Sequence, residues 1–267
     1  MADQEQPLLI DERDGVAWLT MNRPERLNAL NVGLTDALRT YFQALEDRAD
    51  IRVVVLRGAG RVYCAGLDLK DRTGAAPRDV QQGFAGQKSI RDIMIAMREC
   101  PQPIISIVQG SASGGGLGLA LASDIRLCTP EARFNAAFIK IGISGCDMGS
   151  SYFLPRMVGA SLAAEMLLTG RFLHADRAYN MGFVSKVGTP EEVEAEARQL
   201  VDEMLNATPL GLRLTKDCMN HNIDAPGLRA AIAMEDRNQV LSTRGSDFNE
   251  GIRAFLEKRR PVYGQPQ

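Results

Sequence analysis

Two glycine-rich segments about fifty residues apart carry the densest chemical signal in the chain: Cys64-Ala65-Gly66-Leu67-Asp68-Leu69 and Gly110-Ser111-Ala112-Ser113-Gly114-Gly115-Gly116-Leu117-Gly118. Each follows an apolar run with the composition of a buried strand. Main chain with little side chain turns sharply and presents bare N–H groups, and two such groups converging on one oxygen form an oxyanion hole. Phosphate binding is the other chemistry of glycine turns after strands. Gly114, Gly116 and Gly118 have G-x-G-x-G spacing, whereas the dinucleotide fingerprint needs its third glycine where Leu119 stands. A P-loop needs Lys followed by Ser or Thr, and neither is there. Glycines that merely allow close helix–sheet packing would explain one segment more readily than both.

The surrounding elements must hold these segments in place. Leu8 to Ile10 and Val16 to Met21, separated by a stretch containing Asp14-Gly15, read as a hairpin, because Asp-Gly accepts the positive φ angles of tight turns. Leu34, Leu38, Phe42 and Leu45 recur at helical spacing, with Asn31 available as a cap. Arg52 to Leu56 reads as a buried strand leading to the first glycine segment. A second helix is expected from about Arg78 to Arg98, stopping before Pro101 and Pro103. The strand Ile104 to Val108 then leads into the second glycine segment, which opens a helix over Leu117 to Ala122 ahead of a strand at Asp124 to Cys128. Beyond Pro190 the composition shifts to Glu, Ala, Arg and Leu, and helices are expected over 190–206, 209–222, 226–241 and 246–258. The organisation expected is an α/β core over 1–190 and a helical region over 191–267.

Composition narrows the function classes. The 267 residues carry a net charge of −2, which supplies no general electrostatic reason to bind nucleic acid. Five cysteines without a C-x-x-C pair, beside two histidines, favour reduced thiols and argue against zinc. No apolar run approaches the roughly 18 residues of a membrane span, and the polar amino terminus lacks the features of a leader peptide. A soluble, cytoplasmic protein is expected.

In order along the chain, Asn22-Arg23-Pro24-Glu25-Arg26-Leu27-Asn28-Ala29-Leu30, Cys64 to Leu69, Gly110 to Asp124, Leu168-Thr169-Gly170-Arg171, Gly182-Phe183-Val184 and Glu250-Gly251-Ile252-Arg253-Ala254-Phe255 resemble the crotonase, or enoyl-CoA hydratase/isomerase, superfamily over nearly the whole length. The resemblance implies a crotonase-like α/β spiral of strand–strand–helix units whose C-terminal helices form a trimerisation region, in homotrimers or homohexamers. It implies an acyl-CoA thioester as substrate, with coenzyme A entering only as part of it and no permanently bound cofactor or metal. The carbonyl oxygen would sit between the N–H groups of Leu67 and Gly115, stabilising the enolate formed when a proton leaves the neighbouring carbon. Arg26, Asn28, Ala29, Cys64, Ala65, Asp68, Leu69 and Lys70 would follow the CoA channel. Ala65 and Leu69 would receive the adenine, and Arg26 or Lys70 would neutralise phosphate, unless each is a solvated surface charge. Phe255 and Lys258 match a tail pair that contacts CoA, sometimes from a neighbouring subunit.

The departures from the family pattern bear on the reaction. Hydratases of the family hold water with two glutamates, and here those positions carry Gly118 and Phe138, neither able to transfer a proton. Asp147, in Gly145-Cys146-Asp147-Met148-Gly149-Ser150-Ser151 ahead of a helix expected near Ser150, resembles a catalytic aspartate of dienoyl-CoA isomerases and 4-chlorobenzoyl-CoA dehalogenases in the superfamily. It either caps that helix or faces the acyl carbons as a general acid/base. A single carboxylate suits a double-bond shift, and hydration through it stays open. The alternative class is a catalytically silent acyl-CoA-binding protein that lacks both glutamates. Glu165, His174 and His221 read as structural or surface residues, and Tyr152 as a core aromatic or an acyl-pocket donor.

Overall fold

The computed structural model describes residues 6–72 and 79–264. Its elements run β1 (Leu8–Arg13), β2 (Val16–Met21), α1 (Val32–Ala44), β3 (Val53–Gly58), α2 (Val80–Glu99), β4 (Ile104–Val108), β5 (Ser111–Ser113), α3 (Gly115–Ala122), β6 (Ile125–Cys128) and β7 (Arg133–Asn135). The second half adds α4 (Ser150–Val158), α5 (Ala160–Thr169), β8 (Leu173–His174), α6 (Ala175–Asn180) and β9 (Lys186–Val187). It closes with the helices α7 (Pro190–Leu205), α8 (Pro209–Asn222), α9 (Leu228–Ser242) and α10 (Ser246–Glu257). This is the expected α/β architecture with a helical carboxyl-terminal region.

A six-stranded sheet in the order β1-β2-β3-β4-β6-β9 forms the frame. Its first pair is antiparallel, joined by the Asp14-Gly15 turn, and the remaining pairs are parallel. Side chains alternate across it with the period of two that a strand imposes. Val54 and Leu56 join the main core with Leu34, Leu38 and Phe42 of α1 and Ile93 and Met97 of α2, whereas Val53 and Val55 face Val193, Ala197 and Val201 of α7. Both faces are therefore covered, as a parallel sheet requires. A second, three-stranded sheet, β5-β7-β8, lies beyond the end of β4.

Local signals explain the helix starts. The Asn31 side chain accepts from Leu34 N at 2.9 Å, and Thr189 and Glu192 form a reciprocal capping box ahead of α7. Arg78, the first residue expected in the second helix, lies outside the described residues; α2 starts at Val80, capped by Asp79. The helix α8 is anchored by a buried ammonium. Lys216 Nζ donates to the carbonyls of Met97 and Gln102 at 2.9 and 2.8 Å and pairs with Asp124 at 3.1 Å, while Asn220 donates to the Arg98 carbonyl. The bonds to Met97 and Arg98 satisfy carbonyls that the end of α2 leaves without helical partners.

Candidate active site

The two glycine segments meet because the loop after β3 threads between two neighbours. On one side Cys64 forms a parallel bridge with Ala112 of β5, and on the other Leu67 bridges Leu30. Leu30 N donates to Gly66 O at 2.7 Å and Asp68 N donates to Leu30 O at 3.0 Å. Residues 66 and 68 thus aim their groups at Leu30, and the alternation of a ladder turns the Leu67 N–H to the opposite side. Gly66 makes the approach possible: its φ is +94°, and a Cβ there would lie 2.7 Å from Ser113 O and 3.3 Å from Gly115 N. Gly115 is the first residue of α3, where amides lack helical acceptors and the helix dipole is positive. Among the described residues, neither the Leu67 nor the Gly115 N–H donates to a protein acceptor. Gly66 and the Gly115 amide are brought into close approach at a helix start.

Most of the residues expected along the CoA channel cluster beside this point, but several of their polar groups are already engaged. Asp68 is buried and pairs with Arg23 at 3.1 Å and Arg26 at 2.8 Å. Burial pushes its pKa up, yet the hydrogen bonds and charges of Arg26 and Arg23 outweigh burial and hold the carboxyl below its ordinary range. Asn28 is fully buried with φ +53°; its side chain accepts from Arg23 N and donates to Ala59 O and Val62 O. Ala29 accepts from the Arg23 guanidinium, and Ala65 N donates to Leu27 O at 3.0 Å. Cys64 is buried, and burial pushes its thiol up to about 12, away from the thiolate that a nucleophile needs. Leu69 and Lys70 are exposed at the edge of the cluster.

The carboxylate side is built differently from a two-glutamate site. A Cβ at Gly118 would meet Met148 Cβ at 2.9 Å and the sulfurs of Met148 and Met94 at 3.4 Å, and Phe138 is buried against Gly114. Met148, which the sequence reading passed over, is buried and packs over both Gly115 and Gly118. Asp147 precedes it and is half-buried. Its Oδ1 accepts from Met148 N at 2.8 Å and from the Gln87 side-chain amide. Its main chain is clamped by Ser150, whose N donates to Asp147 O at 2.9 Å and whose Oγ accepts from Asp147 N at 3.1 Å. Asp147 and Met148 line an open groove of about 590 Å³ with Gln87, Met94, Ile95 and Phe153 among its walls. Leu67 and Asp68 line a separate cavity of about 270 Å³ between α1 and α2. Met148 is the residue that reaches from the Asp147 groove to Gly115.

Other expected residues fall elsewhere. Phe255 and Lys258 are exposed at the end of α10, whose following segment ties to Asp202 and Asn206 near the end of α7; within one chain no bond links them to the Asp68 cluster among the described residues. Tyr152 is not a core aromatic: it lies at the groove rim, and its hydroxyl donates to Asp224, which raises its pKa. Glu165 pairs with Arg177, and His221 Nδ1 lies 3.2 Å from Asp217 on α8. No cluster of three or more metal-ligating side chains occurs among the described residues, and none of their helices is long and apolar enough to cross a membrane.

Residues 11–266 match the family model described as enoyl-CoA hydratase/isomerase. The chain is 35% identical to a 1,2-epoxyphenylacetyl-CoA isomerase from Escherichia coli over 253 residues, covering 93% of this chain and 95% of that one. An enoyl-CoA hydratase structure from Bacillus anthracis superimposes with a TM-score of 0.90 at 31% identity, covering 97% of this chain and 99% of its own. One from Mycobacterium smegmatis gives 0.87 at 32% identity, with the same coverage of each chain.

Proposed function

The chain belongs to the enoyl-CoA hydratase/isomerase family, and on that footing we propose that it shifts a double bond in an acyl-CoA thioester, with Asp147 as proton carrier and the Leu67 and Gly115 N–H groups as oxyanion hole. The observation that supports this reading is the close approach of Gly66 to the Gly115 N–H, with Asp147 and Met148 adjacent on one groove wall and Met148 packed over Gly115. Gly118 and Phe138 favour a shift over hydration, since the two-carboxylate water site has no counterpart in them.

In the proposed reaction the Asp147 carboxylate removes a proton from an acyl carbon. The C–H electron pair enters the conjugated system and negative charge collects on the thioester oxygen, where the two N–H dipoles stabilise it. Losing one such donor typically costs about 3–4 kcal/mol of transition-state stabilisation. The protonated Asp147 then returns the proton at a different carbon, and the double bond has moved. The acyl group extends into the groove walled by Met94, Ile95, Met148 and Phe153. Coenzyme A, present only as part of the substrate, follows Arg26, Asn28, Ala29, Cys64, Ala65, Asp68, Leu69 and Lys70. Phe255 and Lys258 reach it from a neighbouring subunit of a trimer or hexamer, in the cytoplasm.

Mass spectrometry of 2-enoyl- and 3-enoyl-CoA thioesters incubated with the protein in D2O tests this. Isomerisation with deuterium uptake and no added water is expected, lost in Asp147→Asn while thioester affinity is retained. Gain of water dependent on Asp147 would replace the isomerase with a hydratase. Binding without any conversion would replace it with a silent acyl-CoA-binding protein.

A further inference from the structure

We propose that the groove beside Asp147 selects a linear acyl chain of about eight to twelve carbons, with Ile95 as the wall residue that sets the preference. The inference rests on the reading that an acyl-CoA thioester places its acyl group in this groove. It deepens that reading by naming the class of acyl group.

The helix α2 forms one long wall of the groove. Gln87, Arg91, Met94, Ile95 and Arg98 all line it, and their spacing of three and four residues puts them on one side of the helix. From Gln87 to Arg98 that side extends about 16 Å, at about 1.5 Å per residue. Gln87 marks the reacting end, because its amide donates to the Asp147 carboxylate. Met148 joins that end to the thioester: it lines the groove and packs against Gly115, whose N–H is a proposed oxyanion donor. The opposite end finishes in charged groups. There Arg98 pairs with Asp124 at 2.9 Å and lies 5.8 Å from the centre of the Phe153 ring, with Glu99 beside it.

Between those ends Met94, Ile95, Met148 and Phe153 give the lining its apolar character. Ile95 differs from the other three. They are buried by the protein itself, whereas Ile95 is 46% exposed on the groove wall. An aliphatic side chain left in water beside a groove gains cover when an apolar ligand lies along it. Arg91, paired with Asp92 at 3.4 Å, adds its methylene stem to the same wall. Size argues against a short acyl group. At roughly 30 Å³ per heavy atom, the share a water takes in the liquid, four carbons fill about a fifth of the groove of about 590 Å³. An extended chain advances roughly 3.5 Å for every three bonds, so about a dozen carbons span the wall. That wall is long and narrow, which fits a linear chain in preference to a ring.

Titration calorimetry with saturated thioesters from butanoyl- to tetradecanoyl-CoA, which have no double bond to move, tests the groove apart from the chemistry. Affinity is expected to rise about twofold per added carbon, the gain when half of each methylene is buried, and to level off near about twelve carbons. Ile95→Asn should cut the ratio of decanoyl to butanoyl affinity about threefold to tenfold. Ile95→Trp should bring the levelling-off down to about eight carbons, since blocking one helical turn removes about 5.4 Å of wall. Both variants should keep the wild-type Tm, because Ile95 is exposed. Equal affinities from butanoyl to decanoyl, or a rise with length that both Ile95 variants leave untouched, overturn this inference alone. Phenylacetyl-CoA bound more tightly than octanoyl-CoA, which has the same number of acyl carbons, overturns the linear chain in favour of a ring. No binding of any thioester overturns the parent reading and this inference with it. The expected length series in a protein that converts no 2-enoyl- or 3-enoyl-CoA overturns the proton-carrier reading and upholds the selectivity of the groove.

Discussion

A glutamate at position 118 does not fit this chain as its neighbours stand. The Cβ alone would press on Met148 Cβ at 2.9 Å, and the rest of the side chain would enter a space held by two thioethers. Gly118→Glu is therefore expected to cost about 1–3 kcal/mol by overpacking, visible as a lower Tm, and to add no water to a 2-enoyl-CoA. Water addition by that variant would show that one carboxylate is all the site lacks. Residue types decided how much of the site was legible. Gly66 and Gly115 announced themselves because glycine in a turn after a strand has few other uses. Asp68 was read as a channel residue, but that reading did not include the pairing of its carboxylate with Arg23 and Arg26, which spans some 40 residues and which no local spacing displays. Met148 and Gln87 were passed over for the same reason, since a methionine in a loop and a glutamine on a polar helix gain meaning only from what they touch.

At the level of elements, the helices beyond residue 190 were readable nearly to their ends, and prolines with threonine caps mark the starts of α7 and α8. The strands β8 and β9 were not, since two residues carry no periodicity. The division of the chain is a separate matter. Position 191 lies inside α7, and α7 covers Val16, Trp18, Val53, Val55, Ile105 and Ile107. We propose that the core extends through α7 and that the appended region begins with α8. A chain ending at Asn206 should then retain a cooperative thermal transition, lowered because Lys216 no longer satisfies the end of α2. A chain ending at Thr189 should be insoluble or unfolded, having bared one face of its sheet. Circular dichroism of the two truncations decides; equal behaviour would return the boundary to residue 190.

The molecule as a whole carries more apolar surface on its last two helices than one chain can use. Leu228 is 75% exposed, Phe255 83% and Leu256 73%, and α9 contains no buried residue. Such faces need covering, and the proposed trimer or hexamer would cover them. Sedimentation at micromolar concentration should show a species three or six times the 29.1 kDa chain, and Phe255→Glu should shift it toward one chain. A monomer in wild type would remove the neighbouring-subunit role given to Phe255 and Lys258.

The glycines of α3 have a consequence for how such a chain can change over generations. A Cβ at Gly115 would strike Leu30 at 2.7 Å, and one at Gly116 would strike the Cys64 carbonyl at 2.1 Å. Almost any codon change at either position disturbs the fold in the same stroke as the proposed donor, so inherited variation has little room to erode one while sparing the other. The groove walls are under no such restraint: Ile95 is exposed, and methionines adapt to new neighbours. A lineage of such chains would diversify in which acyl group it accepts long before it altered how the thioester oxygen is held.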